Sequence, residues 1–157
     1  MIIWPLQKDC KTFYGNPYSK GWLHDNTVYV DVPWPMHIEK IPIQHILIHK
    51  KCADSLKKVL GNIWDTVEHN LDKIKELRYD IFDGSYNLRP MRGSSTISMH
   101  SYACAIDWDA ADNAFHSKRH LFKSDSLLVV KFKEEGWSWG GDWSNPDAMH
   151  VQAARIH

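Results

Sequence analysis

Four residues in the second half of the chain have the types and spacing of a catalytic metal site. His100 and Asp107 stand seven residues apart, and His150 follows about forty residues later. Two imidazole nitrogens and one carboxylate, with a fourth position left open, describe a catalytic zinc site, whereas a structural zinc is usually closed by thiolate. Asp147, three residues before His150, is a spare carboxylate that can accept a proton from the attacking water. The pattern predicts a zinc-dependent hydrolase.

Two other histidine pairs have the spacing that a helix would bring onto one face. They are His45 with His49 and His116 with His120. Neither pair contains the glutamate of the His-Glu-x-x-His pattern that marks helical zinc proteases. The first pair also lies in a β-branched segment, where residues at this spacing do not converge on one ion. We expect structural or surface roles for these four histidines.

The composition excludes two classes of partner. The 157 residues include 19 Lys and Arg and 19 Asp and Glu, so the formal net charge is zero with histidine neutral. Nucleic-acid-binding proteins normally carry a basic excess, so no nucleic-acid partner is expected. No apolar stretch approaches the roughly 20 residues that span a bilayer, so no membrane anchor is expected. The length suits one domain with a sizeable core, and we expect a monomer.

The cysteines and the first residues predict the compartment. Three cysteines without a Cys-x-x-Cys pair are typical of reduced, buried thiols in a protein made in a cytosol. The segment Trp4–Asp9 breaks the hydrophobicity near the start of the sequence, unlike a secretory signal peptide. We therefore expect synthesis in the cytoplasm without a signal peptide.

Residue periodicity predicts a mixture of strands and helices. Five short segments with β-branched or alternating residues are predicted strands: 28–32, 41–48, 79–82, 103–108 and 150–156. A long amphipathic helix is predicted from Ala53 to Leu77 with a break near Asn70. A shorter helix is predicted over 127–135, capped by Ser124 or Asp125 and ended by Gly136.

These elements show no βαβ regularity, which favours an α+β domain with a small antiparallel sheet flanked by helices. We expect one catalytic domain spanning residues 1–157. Residues 1–36 are rich in aromatic, proline and turn residues, and they are expected to form an N-terminal extension packed on that domain.

Two motifs resemble those of a known family. Residues 98–107 read Ser-x-His-x-x-Ala-x-Ala-x-Asp, and they are followed by Gly-Gly-Asp-Trp at 140–143 and Asp-x-x-His at 147–150. This order is similar to that of the M15 peptidoglycan peptidases, which include D-Ala-D-Ala carboxypeptidases, dipeptidases and the L-alanyl-D-glutamate endopeptidases of phage endolysins. The stretch 4–60, with Val-Pro-Trp-Pro-Met at 32–36, resembles the short phage-type members less specifically.

The resemblance has two departures. Ala103 stands where the family has glycine, and Gln152 stands where glutamate is commoner, after a valine in place of an aromatic residue. Neither change removes a ligand. We expect altered loop geometry or side-chain preference with the metal retained.

The resemblance also implies roles for residues outside the ligand set, on a fold like that of DD-peptidases and hedgehog proteins. An arginine that faces the oxyanion is expected at Arg89. Arg92 is the alternative for this role, and otherwise it is expected to contact substrate. Ser98 and Trp139 are expected to contact substrate, with the alternative roles of holding the loop for Ser98 and of core packing for Trp139. Asp142 is expected to orient a ligand histidine or to be structural.

The resulting functional hypothesis is a zinc-dependent peptidoglycan endopeptidase that cleaves the L-alanyl-D-glutamate bond of bacterial stem peptides. Without a signal peptide, such a phage endolysin would reach the wall after another protein opens the membrane. The first alternative is a D-Ala-D-Ala carboxypeptidase or dipeptidase, which would use the same metal chemistry. The second is a non-catalytic wall-binding or structural module that keeps the metal. Retention of His100, Asp107, Asp147 and His150 argues against a non-catalytic module.

Overall fold

The computed structural model describes residues 2–91 and 93–157. Its first large element is an antiparallel hairpin of β1 (Thr27–Ile38) and β2 (Ile41–His49). The register shifts between Asp31 and Met36, around Pro33 and Pro35, because proline has no N–H to donate to the ladder. Trp34 lies within this irregularity, is buried, and donates its indole N–H to the carbonyl of Tyr79 at 3.0 Å.

Five helices complete the α component: α1 (Cys10–Tyr14), α2 (Trp22–Asn26), α3 (Ala53–Thr66), α4 (Leu71–Glu76) and α5 (Leu127–Glu134). Helix α3 packs on β1 and α5. Its residues Leu56, Val59, Leu60 and Ile63 are buried and recur at the helical spacing of three to four. The break between α3 and α4 is where Asn70 caps α4 by accepting a hydrogen bond from the N–H of Lys73.

A second, three-stranded antiparallel sheet carries the site. It consists of β3 (Ala105–Asp107), β4 (Ser138–Trp139) and β5 (His150–Gln152), in the order β3–β5–β4. The last strand in sequence is therefore the central one. The register places Asp107 directly opposite His150.

The N-terminal segment runs beside the end of the chain. Leu6 forms a parallel bridge with Arg155, and the N–H of Gln7 donates to the Arg155 carbonyl at 2.8 Å. The Arg155 side chain donates in turn to the carbonyl of Trp4 at 2.7 Å. This segment therefore lies next to the strand that carries His150.

The α+β class with small antiparallel sheets is confirmed. Strand β1 extends from Thr27 to Ile38, so it crosses position 36, which was the expected end of the N-terminal extension. The predicted strand at 79–82 forms only isolated bridges of Ile81 with His37 and of Phe82 with Trp108. Helix α5 is preceded by Ser126 as its N-cap rather than by Ser124 or Asp125.

Within the described part of the chain, no helix combines the length and the apolar character needed to cross a bilayer. Cys10, Cys52 and Cys104 are buried free thiols.

Candidate metal centre

The structure brings His100, Asp107 and His150 together. His100 lies in a 3-10 turn, Met99–Tyr102, and Asp107 ends β3. Asp107 Oδ2 is 3.2 Å from His100 Nε2, and Asp107 Oδ1 is 3.0 Å from His150 Nδ1. Among the His, Cys, Asp and Glu side chains of residues 2–91 and 93–157, these three form the group that can hold a metal ion.

Ala103 explains how the chain turns from His100 into β3. It has φ 54° and ψ 36°, the left-handed conformation in which a residue with a Cβ is strained by about 1–2 kcal/mol. Glycine adopts this conformation without that strain, which accounts for the glycine that the family has here. The alanine therefore keeps the turn at some cost in stability, and its methyl group is fully buried.

In His100 and His150, the ring nitrogen that faces away from Asp107 is called the outer nitrogen, and the other is called the inner nitrogen. The outer nitrogen of each ring has a hydrogen-bond acceptor as its partner. His100 Nδ1 lies 3.2 Å from the carbonyl oxygen of Ser85, and His150 Nε2 lies 2.8 Å from Gln152 Oε1. A carbonyl oxygen can only accept, so the proton of each neutral ring sits on the outer nitrogen. In neutral rings the inner nitrogens would direct lone pairs at the Asp107 carboxylate, so a positive charge is needed there, either a metal ion or the second proton of a charged ring.

The spacing of the three donors suits zinc. Zinc binds imidazole nitrogen and carboxylate oxygen at about 2.0–2.2 Å in tetrahedral geometry, which separates ligand atoms by about 3.3 Å. The 3.0 and 3.2 Å contacts of Asp107 are close to that value. The residues present therefore fit a zinc ion, with partners on the outer side that fix the ring orientations.

The electrostatics follow from this packing. Burial alone would raise the pKa of Asp107, but hydrogen bonds to His100 and His150 outweigh burial and hold it well below its usual range. Burial would lower the pKa of His150, but the hydrogen bond and charge of Asp107, with the charge of Asp147, raise it above its ordinary value. The carboxylate is thus kept ionised, as a metal ligand must be.

Asp147 lies at the edge of this group. Its Oδ2 is 3.9 Å from His150 Nδ1, and its side chain is 17% exposed. The N–H of Asp147 donates to the carbonyl of Gly140 at 2.9 Å. A Cβ on Gly140 would collide with the carbonyl oxygen of Asp147, and one on Gly141 would collide with the ring of Trp139. Gly140 is therefore required by the close approach of the segment that carries Asp147, and Gly141 by the packing of the Trp139 ring.

A cavity of about 340 Å³ is lined by His100, Asp107 and His150. Its walls include Met91, Phe115, Trp143 and Met149, which are apolar. Arg89 also lines this cavity, and its guanidinium donates to the carbonyl of Pro90 at 3.2 Å. The site thus combines a low-polarity wall with a cation at its rim.

Ser98 lines the same cavity but is engaged in local structure. Its hydroxyl accepts from the N–H of His100 at 3.2 Å, so it caps the turn that carries this ligand. Its N–H donates to the Arg89 carbonyl at 3.0 Å. Of the two expected roles, holding the loop is the one with visible contacts. Arg92 lies outside the described residues.

Trp139 and Asp142 lie beside a neighbouring cavity. Trp139 is 3% exposed and donates its indole N–H to the Ala148 carbonyl at 2.8 Å. Asp142 Oδ2 is 2.7 Å from Lys133 Nζ, and its side chain is half exposed. The outer nitrogens of both site histidines are bonded elsewhere, so Asp142 has a surface ion pair where an orienting contact was expected.

The other two histidine pairs, His45 with His49 and His116 with His120, make contacts of other kinds. His45 is exposed and its ring contacts that of Tyr29 in a tilted arrangement, whereas His49 is fully buried. His116 Nδ1 contacts Asn145 Oδ1 at 2.6 Å, and His120 Nδ1 contacts the Phe122 carbonyl at 2.6 Å. These contacts are structural.

Sequence reasoning missed the residues that hold the outer nitrogens. The contribution of Ser85 is a backbone carbonyl, which no residue type reveals. Gln152 was noted only as a departure from the commoner glutamate. Gln7, which accepts from Gln152 Nε2 at 2.7 Å, is 145 residues away in sequence and carried no signal.

The matched family agrees with the geometry of the site. A family model of M15 peptidases, described as D-alanyl-D-alanine carboxypeptidase, matches residues 92–153. Searches of curated proteins and of solved structures found no match. The matched segment contains His100, Asp107, Asp147 and His150, the four residues that the structure places around one point. Over this segment, the chain is similar to the M15 family of peptidases.

Proposed function

We propose that this protein is a zinc-dependent peptidoglycan peptidase and that His100, Asp107 and His150 hold the metal. The observation that carries the proposal is the convergence of three lone-pair donors whose outer partners are acceptors. Bound zinc would supply Lewis acidity that polarises the scissile carbonyl and lowers the pKa of the attacking water.

The chain's own residues would handle the proton and the developing charge. Asp147, beside His150 Nδ1, would accept the proton of the attacking water and pass it to the departing amine. Arg89 at the rim would face the oxyanion as negative charge develops there. The apolar wall, including Met149 and Phe115, would strengthen both interactions by limiting water.

For the bond, we propose the L-alanyl-D-glutamate linkage of stem peptides. An endopeptidase needs room for substrate on both sides of the scissile bond. The cavity over the metal ligands shares Trp143 and Ile156 with a second cavity, which is also lined by Lys133 and Arg155. The two cavities thus adjoin, and the second one is lined by Arg155 and by the ion pair of Lys133 with Asp142, polar groups that suit a peptide. Lysis of a bacterial host by a phage is the setting that we propose for this activity.

The second candidate is a D-Ala-D-Ala carboxypeptidase or dipeptidase. It is favoured by the description of the matched family model. Arg89, at the rim of the metal cavity, has the charge needed to bind a terminal carboxylate. The metal chemistry would be the same for either bond.

Digestion of purified peptidoglycan by the zinc-loaded protein, followed by mass spectrometry of the new termini, distinguishes these functions. Cleavage by an endopeptidase frees the amino group of D-glutamate and leaves L-alanine on muramic acid. Free D-alanine as the main product would instead establish the carboxypeptidase. No cleavage of any wall peptide by protein with zinc bound would leave the non-catalytic module.

The metal assignment has its own control. His100→Ala and His150→Ala should abolish stoichiometric zinc binding, measured by elemental analysis after dialysis. His45→Ala and His116→Ala, outside the site, should retain it. Loss of zinc in the second pair and not in the first would overturn the assignment.

A further inference from the structure

His150 is held on its outer side by two glutamines from opposite ends of the sequence. Gln152 Oε1 lies 2.8 Å from His150 Nε2. The amide nitrogen of Gln152 donates to Gln7 Oε1 at 2.7 Å and to the carbonyl of Ala154 at 3.3 Å. Gln152 is 1% exposed, so these three contacts account for its amide without help from bulk solvent.

The orientation of the Gln152 amide decides which nitrogen of His150 carries the proton. With the oxygen facing the ring, His150 donates from Nε2, and its Nδ1 lone pair is available to a metal. A flipped amide would present an N–H to Nε2, so the proton of the neutral ring would move to Nδ1 and occupy the position that a metal needs. The orientation of the Gln152 amide therefore decides whether His150 Nδ1 can bind a metal or carries a proton that prevents binding.

Two acceptors prevent the flip. Gln7 Oε1 and the Ala154 carbonyl both face the amide nitrogen of Gln152, and a flip would set its oxygen against both. The backbone of Gln7 is fixed, because its N–H donates to the Arg155 carbonyl at 2.8 Å, and the Ala154 carbonyl is an acceptor that cannot reverse. Arg155 is anchored in turn by the carbonyls of Trp4 and Pro5.

We propose that Gln152 and Gln7 are positioning residues that keep His150 in the tautomer competent to bind metal. The N-terminal segment, outside the matched residues 92–153, is thereby part of the metal centre. This inference rests on the metal site of the proposed function. It also explains how glutamine can stand where the family more often has glutamate. A carboxylate always accepts, whereas an amide must be oriented, and Gln7 orients it.

The test measures zinc affinity by competition with a chelator of known affinity, using the full chain. Gln152→Leu should weaken zinc binding by about 10–100-fold, the usual effect of removing the outer partner of a ligand histidine. Gln7→Ala should weaken it less, because the Ala154 carbonyl still disfavours the flip. Gln44→Ala, on an exposed position of β2, is the matched control and should bind as the wild type does.

A combination of variants separates orientation from packing. Gln152→Glu should keep an acceptor on His150 Nε2, and in that background Gln7→Ala should not weaken zinc binding, because a carboxylate presents an oxygen to the ring in either orientation. Long-range nitrogen–proton NMR of the metal-free protein at pH 8 should show His150 protonated on Nε2 in the wild type. The Nδ1-protonated form should increase in Gln7→Ala.

The outcomes are distinct. Wild-type zinc affinity in both Gln152→Leu and Gln7→Ala, with an unchanged tautomer of His150, would overturn this inference and leave the proposed function standing. A Gln7→Ala effect of equal size in the Gln152→Glu background would also overturn it, since the role of Gln7 would then be packing. A wild-type chain that binds no zinc would overturn the metal site itself, and the proposed function with it.

Discussion

Acid should destabilise the protein through His49, a fully buried histidine next to Ala103, which follows the turn that contains His100. Lys51 donates its N–H to His49 Nδ1 at 3.1 Å, so the proton of the ring sits on Nε2 and is donated to the Tyr14 carbonyl at 3.0 Å. The N–H of His49 donates to the Ala103 carbonyl at 2.7 Å. The residue therefore ties α1 to the turn that follows His100.

Burial lowers the pKa of His49 from 6.5 to about 4, assisted by the charges of Lys51 and Lys50, although the hydrogen bond to Tyr14 opposes this change. Because the folded pKa lies below the unfolded one, the unfolded chain binds the proton first as the pH falls. Stability is therefore complete above about pH 6.5 and is lost between pH 6.5 and pH 4. At about 1.4 kcal/mol per pKa unit, the loss approaches 3 kcal/mol. His49 is 0% exposed, so bulk solvent has no direct contact with its ring.

His49→Gln is the matched variant, because glutamine keeps a donor toward Tyr14 and does not titrate. Urea unfolding followed by tryptophan fluorescence, with a chelator present throughout, gives the free energy of unfolding of both proteins from pH 7.5 to pH 4.5. The difference between wild type and variant cancels other titrating groups. It should change by about 2–3 kcal/mol over this range, with the wild type losing more. A difference that is constant with pH would refute the reasoning.

Three further predictions concern catalysis. Asp147→Asn should retain zinc but lower turnover by about 10²–10⁴-fold, because an amide cannot accept a proton; wild-type cleavage with zinc bound would exclude Asp147 as the base. Gly140→Ala should lower turnover by displacing the Asp147 segment, whereas Gly61→Ala, where nothing lies within 4 Å of the added methyl, should be active in the same digestion assay. Arg89→Ala should lower turnover by about 10²–10³-fold with the fold intact by circular dichroism, and an equal effect of the exposed control Arg119→Ala would show that neither charge faces the oxyanion.

The sequence predicted local features better than long-range ones. The spacing of His100 and Asp107 implied a loop and the strand that it enters, which is the arrangement found. The break near Asn70 was expected from helical periodicity, and the structure shows Asn70 as the N-cap of α4 there. Both are determined by residues close in sequence.

What escaped sequence reasoning depends on groups that no residue type reveals. The partner of His100 is a backbone carbonyl, and the orientation of the Gln152 amide depends on a residue 145 positions away. Trp139 was expected at the substrate, but its indole is used to hold the Ala148 carbonyl. A tryptophan in a core and one in a groove look the same in a sequence, because aromatic residues serve both.

The strand order β3–β5–β4 has a consequence for how the protein acquires activity. Strands β3 and β4 are paired with β5 and have no pairing with each other, yet β5 is made last. During synthesis, the backbone N–H and C=O groups of β3 and β4 that pair with β5 have no strand partner until His150–Gln152 has been made and lies between them. Such non-local pairing is slow to form, because the chain entropy of long loops is lost before contacts compensate for it. Asp107 and His150 can therefore meet only after β5 has been made and has paired with β3.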